Sequence, residues 1–394
     1  MSARANNLPN NFSLLIKPGG AACNLACAYC FYLDKAQLYP GSPLRMPDEV
    51  LEACLRQLLD SPPGAPVEVA WQGGEPTLMG LDFFRRSLEL VQRHRRPGQT
   101  VAYSLQTNGL RLDDAWCAFF KQHGFLIGLS MDGPGEMHDA YRRDKGGRGS
   151  FAQVRAAWEL LQKHQVDTNI LCAVHAANVS DPLAVYRFFR DGLQARFLQF
   201  IPIVEREGEG VSARSVPAAA FGAFLSGIFD EWLRRDVGQV FVQTFDSALA
   251  SWYGLPASLC IFRETCGANL VLEHNGDLYA CDHFVDPPHR LGNLLERPMR
   301  ALVASPQQQR FGREKRDRLP AVCRSCDVRF ACQGECPRNR FLPAPDGQPG
   351  WNYLCAGYKS FFHHIDAPMR RMAELLRQGR APAEIMPLMG EAPG

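Results

Sequence analysis

The sequence predicts an α/β protein: an open, partial (β/α)6 TIM-like barrel followed by a cysteine-rich C-terminal region. Three observations carry this expectation. Six strand-like runs alternate with helical patterns between residues 12 and 236. Polar, Gly-rich motifs follow the first four of those strands. Eight of the fourteen cysteines fall between Cys260 and Cys355.

The strand-like runs are FSLLIK (12–17), VEVAW (67–71), VAYSL (101–105), FLIGLS (125–130), TNILCAV (168–174) and RFLQFI (196–201). Between them, MPDEVLEACLRQLLD places Val50, Leu51, Cys54, Leu55, Leu58 and Leu59 on one helical face, and Pro47 suits a first helical turn. SFAQVRAAWELLQKH repeats the pattern with Phe151, Val154, Trp158 and Leu161, and Ser150 is expected to cap it. Further helices are expected over about 81–95, 113–122, 181–190 and 217–235. Strand–helix alternation of this kind argues for parallel strands with right-handed crossovers. Six units are too few to close the eight-unit barrel. In such folds the chemistry sits at the C-terminal ends of the strands. CNLACAYC, QGGEPT, QTNG and MDGP follow the first four strands in order, so four loops converge on one mouth.

Beyond about residue 240 the pattern becomes short and irregular. GANLVLEHNGDLYACD reads as a hairpin turning at Asn275-Gly276. The expected division is a tail over 1–11, the barrel over 12–236, a metal-stapled unit over 237–357, and a C-terminal helix with a Pro-rich tail over 358–394.

Composition excludes several classes. The 394 residues are 46% hydrophobic and 21% charged, with a net charge of +2, so nothing points to nucleic acid or a membrane surface. The first residues lack a signal-peptide apolar region, and no apolar run reaches the roughly 18 residues of a membrane span. A cytoplasmic location is expected. In a reducing compartment, clustered cysteines bind metal or do redox work rather than form disulfides. Cys54, Cys117 and Cys172 stand alone and are expected to be buried small hydrophobes.

Cys23, Cys27 and Cys30 form C-x3-C-x2-C with no local fourth ligand. Zinc sites favour paired C-x2-C knuckles closed by four ligands. Four cysteines are the usual ligands of a cubane iron–sulfur cluster. Three thiolates therefore read as a cluster with one iron left open for a small molecule.

C-x3-C-x2-C followed by aromatic Phe31, in the first loop of a βα barrel, resembles the radical S-adenosylmethionine superfamily. GGEP at Gly73–Pro76 resembles the segment that holds the methionine amino group of the cofactor. The resemblance implies cofactor contacts from Gly73, Gly74 and Glu75, and from Ser130 at the end of the fourth strand. The C-terminal cysteines resemble a SPASM-type extension with two auxiliary [4Fe–4S] clusters, three clusters in all. That pattern assigns Cys260, Cys266, Cys281 and Cys336 to one cluster, and Cys323, Cys326, Cys332 and Cys355 to the other. A pair of zinc sites is the alternative for these eight thiols.

Within the superfamily the chain looks most like the anaerobic sulfatase-maturating enzymes, in SLLIKP, WQGGEPTL, SLQTNGL, GLSMDGP, GDLYACDHFV and CQGECPRNR. That resemblance implies oxidation of a client sulfatase's cysteine or serine, in a C/S-x-P-x-R segment, to formylglycine through a 5′-deoxyadenosyl radical. It implies Asp282 as general base, where a capping or salt-bridging aspartate is the bland alternative. Tyr32 and Gln72, beside the two cofactor motifs, are expected to face substrate or to pack. His283 is expected to be structural or to support the site from behind the residues that touch substrate. A reduced ferredoxin or flavodoxin is the implied electron donor, and the basic run RFGREKRDR (310–318) is either its dock or a solvated face. Two other functions fit less well: a related enzyme that forms thioether or carbon–carbon crosslinks in peptides, and a non-enzymatic iron–sulfur or zinc module.

Overall fold

The computed structural model describes residues 12–61 and 66–387. The tail expected over 1–11 and the last residues, 388–394, lie outside them. Strands β1 (Ser13–Ile16), β2 (Val67–Trp71), β3 (Val101–Thr107), β4 (Phe125–Ser130), β5 (Thr168–Val174) and β6 (Phe197–Pro202) pair side by side in chain order, all parallel. Each of the six expected runs is a strand within two residues of its expected bounds.

The sheet extends past both expected ends. A short strand β7 (Phe241–Val242) pairs parallel with β6. On the other edge β8 (Asn269–Leu272) pairs parallel with β1, and β9 (Asp277–Tyr279) and β10 (Arg290–Asn293) continue antiparallel. The hairpin of the cysteine-rich region is thus part of one ten-stranded sheet. The boundary expected at 236/237 is no break in that sheet. The hairpin turns through Glu273–Gly276, with Gly276 at φ +89° and the Asn275 side chain accepting from the Asp277 N–H.

Helices α1 (Asp48–Leu59), α2 (Leu81–His94) and α3 (Asp114–Gln122) cover the first crossovers. On α1 all six apolar positions of the expected face are buried. Each such aliphatic side chain contributes roughly 1.5–3 kcal/mol when fully buried. Cys54, Cys117 and Cys172 are buried in this core as well. A short helix α4 (Gly135–Tyr141) precedes α5 (Phe151–Lys163).

Ser150 holds the expected N-cap position of α5, but its side chain makes no cap hydrogen bond. Its hydroxyl donates to the Arg142 carbonyl at 2.9 Å and meets His138 Nε2 at 3.0 Å. Asp139 supplies the cap instead, accepting the Phe151 N–H at 2.9 Å. The expected 181–190 helix divides into α6 (Pro182–Arg187) and a wider turn over Phe188–Gly192. Helices α7 (Ala218–Arg235) and α8 (Gln243–Tyr253) pack against the C-terminal helices Cys355–His364 and Asp366–Arg377. Gly222 and Gly357 permit one of these contacts: a Cβ on Gly222 would lie 2.4 Å from the Gly357 carbonyl oxygen.

Candidate active site

The first cysteine loop leaves the top of β1 and is strapped to the segment after α4. The Ala26 N–H donates to the Arg143 carbonyl at 2.8 Å, and the Ala28 N–H to the Tyr141 carbonyl at 3.0 Å. Beneath it lies a buried charge network. The Tyr29 hydroxyl donates to Asp132 Oδ2, which also receives Arg142 Nε at 2.8 Å, while Oδ1 accepts the Ala173 N–H at 2.9 Å. Burial pushes the Asp132 carboxyl up, but the Arg142 guanidinium and histidine contacts outweigh it and hold it well below the usual carboxylate range. The loop is therefore tied to the ends of β4 and β5 through one carboxylate. Burial pushes the Cys23 and Cys27 thiols up to about 11, with Cys27 acting electrostatically on Cys23 and Cys30 on Cys27.

The GGEP turn rests directly on this loop. The Gly74 N–H donates to the Gly20 carbonyl and the Glu75 N–H to the Ala22 carbonyl, both at 2.8 Å. A Cβ on Gly74 would sit 2.1 Å from the Ala22 oxygen, so only glycine allows the approach. Because a trans peptide sets C=O opposite to N–H, the carbonyls of Gly73 and Gly74 point away from the 20–22 loop. These are the acceptors the segment can turn toward an ammonium group. The buried Glu75 carboxylate is engaged within the protein. Oε1 accepts from the Thr77 N–H (3.0 Å), Thr77 Oγ1 (2.6 Å) and Thr107 Oγ1 (2.8 Å), and Oε2 accepts the Asn108 N–H at 2.7 Å. Glu75 thus clamps the QTNG loop to the GGEP turn. Asn108 completes the clamp, its Nδ2 donating to Asn24 Oδ1 at 2.7 Å and lying 3.6 Å from Cys23 Sγ. Ser130 is buried at the C-terminal end of β4.

Asp282, Tyr32 and Gln72 come together at the same mouth. The Tyr32 hydroxyl donates to Asp282 Oδ2 at 2.5 Å, and Gln72 Nε2 lies 3.4 Å from the Tyr32 oxygen. Lys17, at the end of β1, places Nζ 2.6 Å from Asp282 Oδ1 and 3.1 Å from Glu273 Oε1. The same ammonium stands 4.5 Å over the Tyr32 ring. All four of these ionisable side chains are buried. Burial pushes the Asp282 carboxyl up, but Lys17 and Tyr32 outweigh it and hold it below the usual carboxylate range.

The eight C-terminal cysteines gather as two sets. Cys323, Cys326, Cys332 and Cys355 line one pocket with Val328, Glu335 and Tyr358. Cys260, Cys266, Cys281 and Cys336 form the second set, each within electrostatic reach of others in it. The turn between Cys332 and Cys336 holds Gln333, Gly334 and Glu335 in succession at positive φ. Arg340 secures this costly conformation, donating to the carbonyls of Gln333, Gly334 and Glu335 at 2.8–2.9 Å. Both sets are all-sulfur, the donor set that a four-iron cube takes.

Three buried positions at these sites carry no role in the sequence reading. Lys17 carried a signal, a lone lysine ending an apolar strand, but its partners lie some 256 positions away. Asn108 lies within QTNG, a loop expected at the barrel mouth with no role given to any one of its residues. Lys315 was counted in a surface charge run. It is instead buried, donating to the carbonyls of Cys260 (2.8 Å) and Ile261 (2.7 Å) and bracing a cysteine-bearing loop.

Comparison with known proteins agrees with this geometry. The Radical SAM superfamily model matches residues 18–189, and the SPASM iron–sulfur cluster-binding domain matches 260–327. A serine-type anaerobic sulfatase-maturating enzyme of Bacteroides thetaiotaomicron is 43% identical over 95% of this chain and 94% of its own length. A cysteine-type enzyme of Clostridium perfringens is 35% identical over 89% of this chain and 95% of its own. The solved structure of native anSMEcpe with bound AdoMet and Cp18Cys peptide superposes with a TM-score of 0.84 at 35% identity, over 92% of this chain and 99% of that one. A three-thiol loop clamped to a GGEP turn, two four-thiol sets and near full-length similarity converge on one conclusion: the chain belongs to the anaerobic sulfatase-maturating enzymes of the radical S-adenosylmethionine superfamily.

Proposed function

We propose that this chain oxidises a serinyl or cysteinyl side chain of a client sulfatase to formylglycine, with Asp282 as the base that takes the hydroxyl or thiol proton. Identity to the serine-type relatives (43% and 40%) exceeds that to the cysteine-type enzyme (35%), which supports serine as the client residue. The observation that carries the proposal is the placing of Asp282: a buried carboxylate beside Cys281, joined by Lys17 and Tyr32 to the first loop.

In this proposal Cys23, Cys27 and Cys30 hold the cluster that binds S-adenosylmethionine. Cys260, Cys266, Cys281 and Cys336 hold one auxiliary cluster, and Cys323, Cys326, Cys332 and Cys355 the other. When bound, the first cluster with its cofactor supplies a 5′-deoxyadenosyl radical able to remove a β-hydrogen from the client residue. The residues of the chain do the rest. Gly73 and Gly74 turn carbonyls toward the cofactor's ammonium group, Glu75 fixes that turn, and Ser130 faces the cofactor from the end of β4. Tyr32 and Gln72 orient the client side chain over Asp282.

Asp282 is a weak base, because Lys17 stabilises its anion. That suffices, since a hydroxyl or thiol on a carbon radical is far more acidic than on a closed-shell carbon. Loss of a hydrogen atom, a proton to Asp282 and one electron balances conversion of the alcohol to the aldehyde. For a thiol the same losses give a thioaldehyde, which water hydrolyses. Asp282 adjoins Cys281, so proton and electron leave in the same direction.

An acidic one-electron carrier, ferredoxin or flavodoxin, is proposed as donor. Arg310, Arg313 and Arg318 stay exposed on and just after the helix Pro306–Asp317 and suit such a partner. No described helix is long and apolar enough to cross a membrane, and a cytoplasmic site of action is part of the proposal. The test is anaerobic reconstitution, iron and sulfide analysis, then reaction with S-adenosylmethionine, reductant and peptides containing S-x-P-x-R or C-x-P-x-R. Formation of 5′-deoxyadenosine together with an aldehyde at the target residue is expected. A crosslinked peptide product would overturn the proposal.

A further inference from the structure

His283 follows Asp282 directly, and its ring reaches the Cys336 turn. Its Nδ1 lies 3.4 Å from Cys336 Sγ, within hydrogen-bond distance for sulfur. One aromatic contact orients the ring. Phe31, the residue after Cys30, meets the ring edge-on with centroids 5.7 Å apart. Arg338, two residues after Cys336, places its guanidinium 4.8 Å over the Phe31 ring. The ring is thus held between the first cysteine loop and the Cys336 turn.

The direction of the hydrogen bond follows from chemistry. An iron-bound thiolate carries no proton and can only accept. Nδ1 must then be the protonated nitrogen of the ring. We infer that His283 is a positioning residue for electron transfer: its Nδ1–H donates to Cys336 Sγ and raises the reduction potential of the auxiliary cluster nearest the base. The physical ground is general. Reduction adds negative charge to a cluster, a hydrogen bond to its sulfur stabilises that charge, and the reduced state is favoured. The inference rests on the proposed assignment of Cys336 as a cluster ligand and adds to it a device that makes that cluster a better electron acceptor.

The test compares His283→Phe, which keeps a ring against Phe31 but has no donor, with His283→Asn, whose Nδ2 amide restores a donor near the Nδ1 position. Both are reconstituted anaerobically as full-length protein. Iron and sulfide are counted, and the auxiliary clusters are titrated by EPR-monitored redox potentiometry. The expected result is full iron content in both variants, a more negative midpoint for one auxiliary cluster in His283→Phe, and return toward the wild-type midpoint in His283→Asn. Unchanged midpoints in His283→Phe at full iron content would overturn the inference, and so would an equal shift in both variants. Failure of the ligand assignment reads differently: Cys336→Ala would then keep all its iron. Should His283→Phe load poorly, wild-type protein labelled with [15N]histidine decides by pulsed EPR. A 15N coupling at a reduced auxiliary cluster that His283→Asn removes supports the inference, and its absence overturns it.

Discussion

Lys17 Nζ stands 2.6 Å from Asp282 Oδ1 and 3.1 Å from Glu273 Oε1, a buried cation shared by two carboxylates. The register of β1 against β8 brings this about: Ile16 pairs with Leu272, so the next residue of each strand, Lys17 and Glu273, emerges side by side. Lys17→Met leaves two buried carboxylates without their cation. Breaking one buried pair costs about 3–5 kcal/mol. The expected outcome is a lower thermal midpoint for the iron-loaded protein and loss of peptide oxidation. Scanning calorimetry under argon, alongside product analysis, checks both.

Gly74→Ala tests the cradle. The added methyl would meet the Ala22 carbonyl at 2.1 Å, backbone against backbone, so the GGEP turn must lift away from the first loop. Cofactor cleavage without peptide is expected to fall at least about tenfold, the effect of roughly 1.4 kcal/mol of lost cofactor binding or alignment. Iron in the auxiliary sites stays. Quantifying 5′-deoxyadenosine against total iron separates the two effects.

Arg142→Leu removes the cation that holds Asp132 ionised beneath the first loop. Asp132 has no exposed surface and would keep only neutral partners and His175. The expected loss is again about 3–5 kcal/mol. Iron content should drop by one cluster's worth, because the strap from Tyr29 to β4 goes with it. Mössbauer quantification of the reconstituted variant reads this directly.

Two cysteine substitutions should behave in opposite ways. Cys54→Ala empties a small volume in the core and is expected to cost about 1–2 kcal/mol with iron unchanged. Cys355→Ala opens the pocket lined by four thiols and is expected to lower the iron content. Equal iron in the two variants would contradict the ligand assignment.

Local pattern made the barrel legible: six runs of strand, a one-sided α1, and polar loops at one end. The first cysteine group is legible because its spacing is local; the two C-terminal sets interleave, with Cys336 beyond Cys323, Cys326 and Cys332, and their partition comes from the family resemblance. What stayed hidden depends on distant register. The hairpin of residues 269–279 reads as a self-contained unit until β8 is seen to pair with β1. Lys17 and Glu273 become partners through that pairing alone. Ser150 shows the same limit at short range: its hydroxyl has better partners in Arg142 and His138, and Asp139 is placed to cap α5. Lys315 looked like one charge among several until packing turned it inward onto the Cys260 loop.

The role of Asp282 as base is tested most directly by Asp282→Asn, which keeps the shape of the side chain and the Tyr32 contact but cannot take a proton. The measurement is the ratio of formylglycine to 5′-deoxyadenosine with a serine-containing peptide. The account predicts continued formation of 5′-deoxyadenosine with formylglycine reduced on the order of a hundredfold or more, the scale of a lost general base. Formylglycine at the wild-type rate in this variant would contradict it.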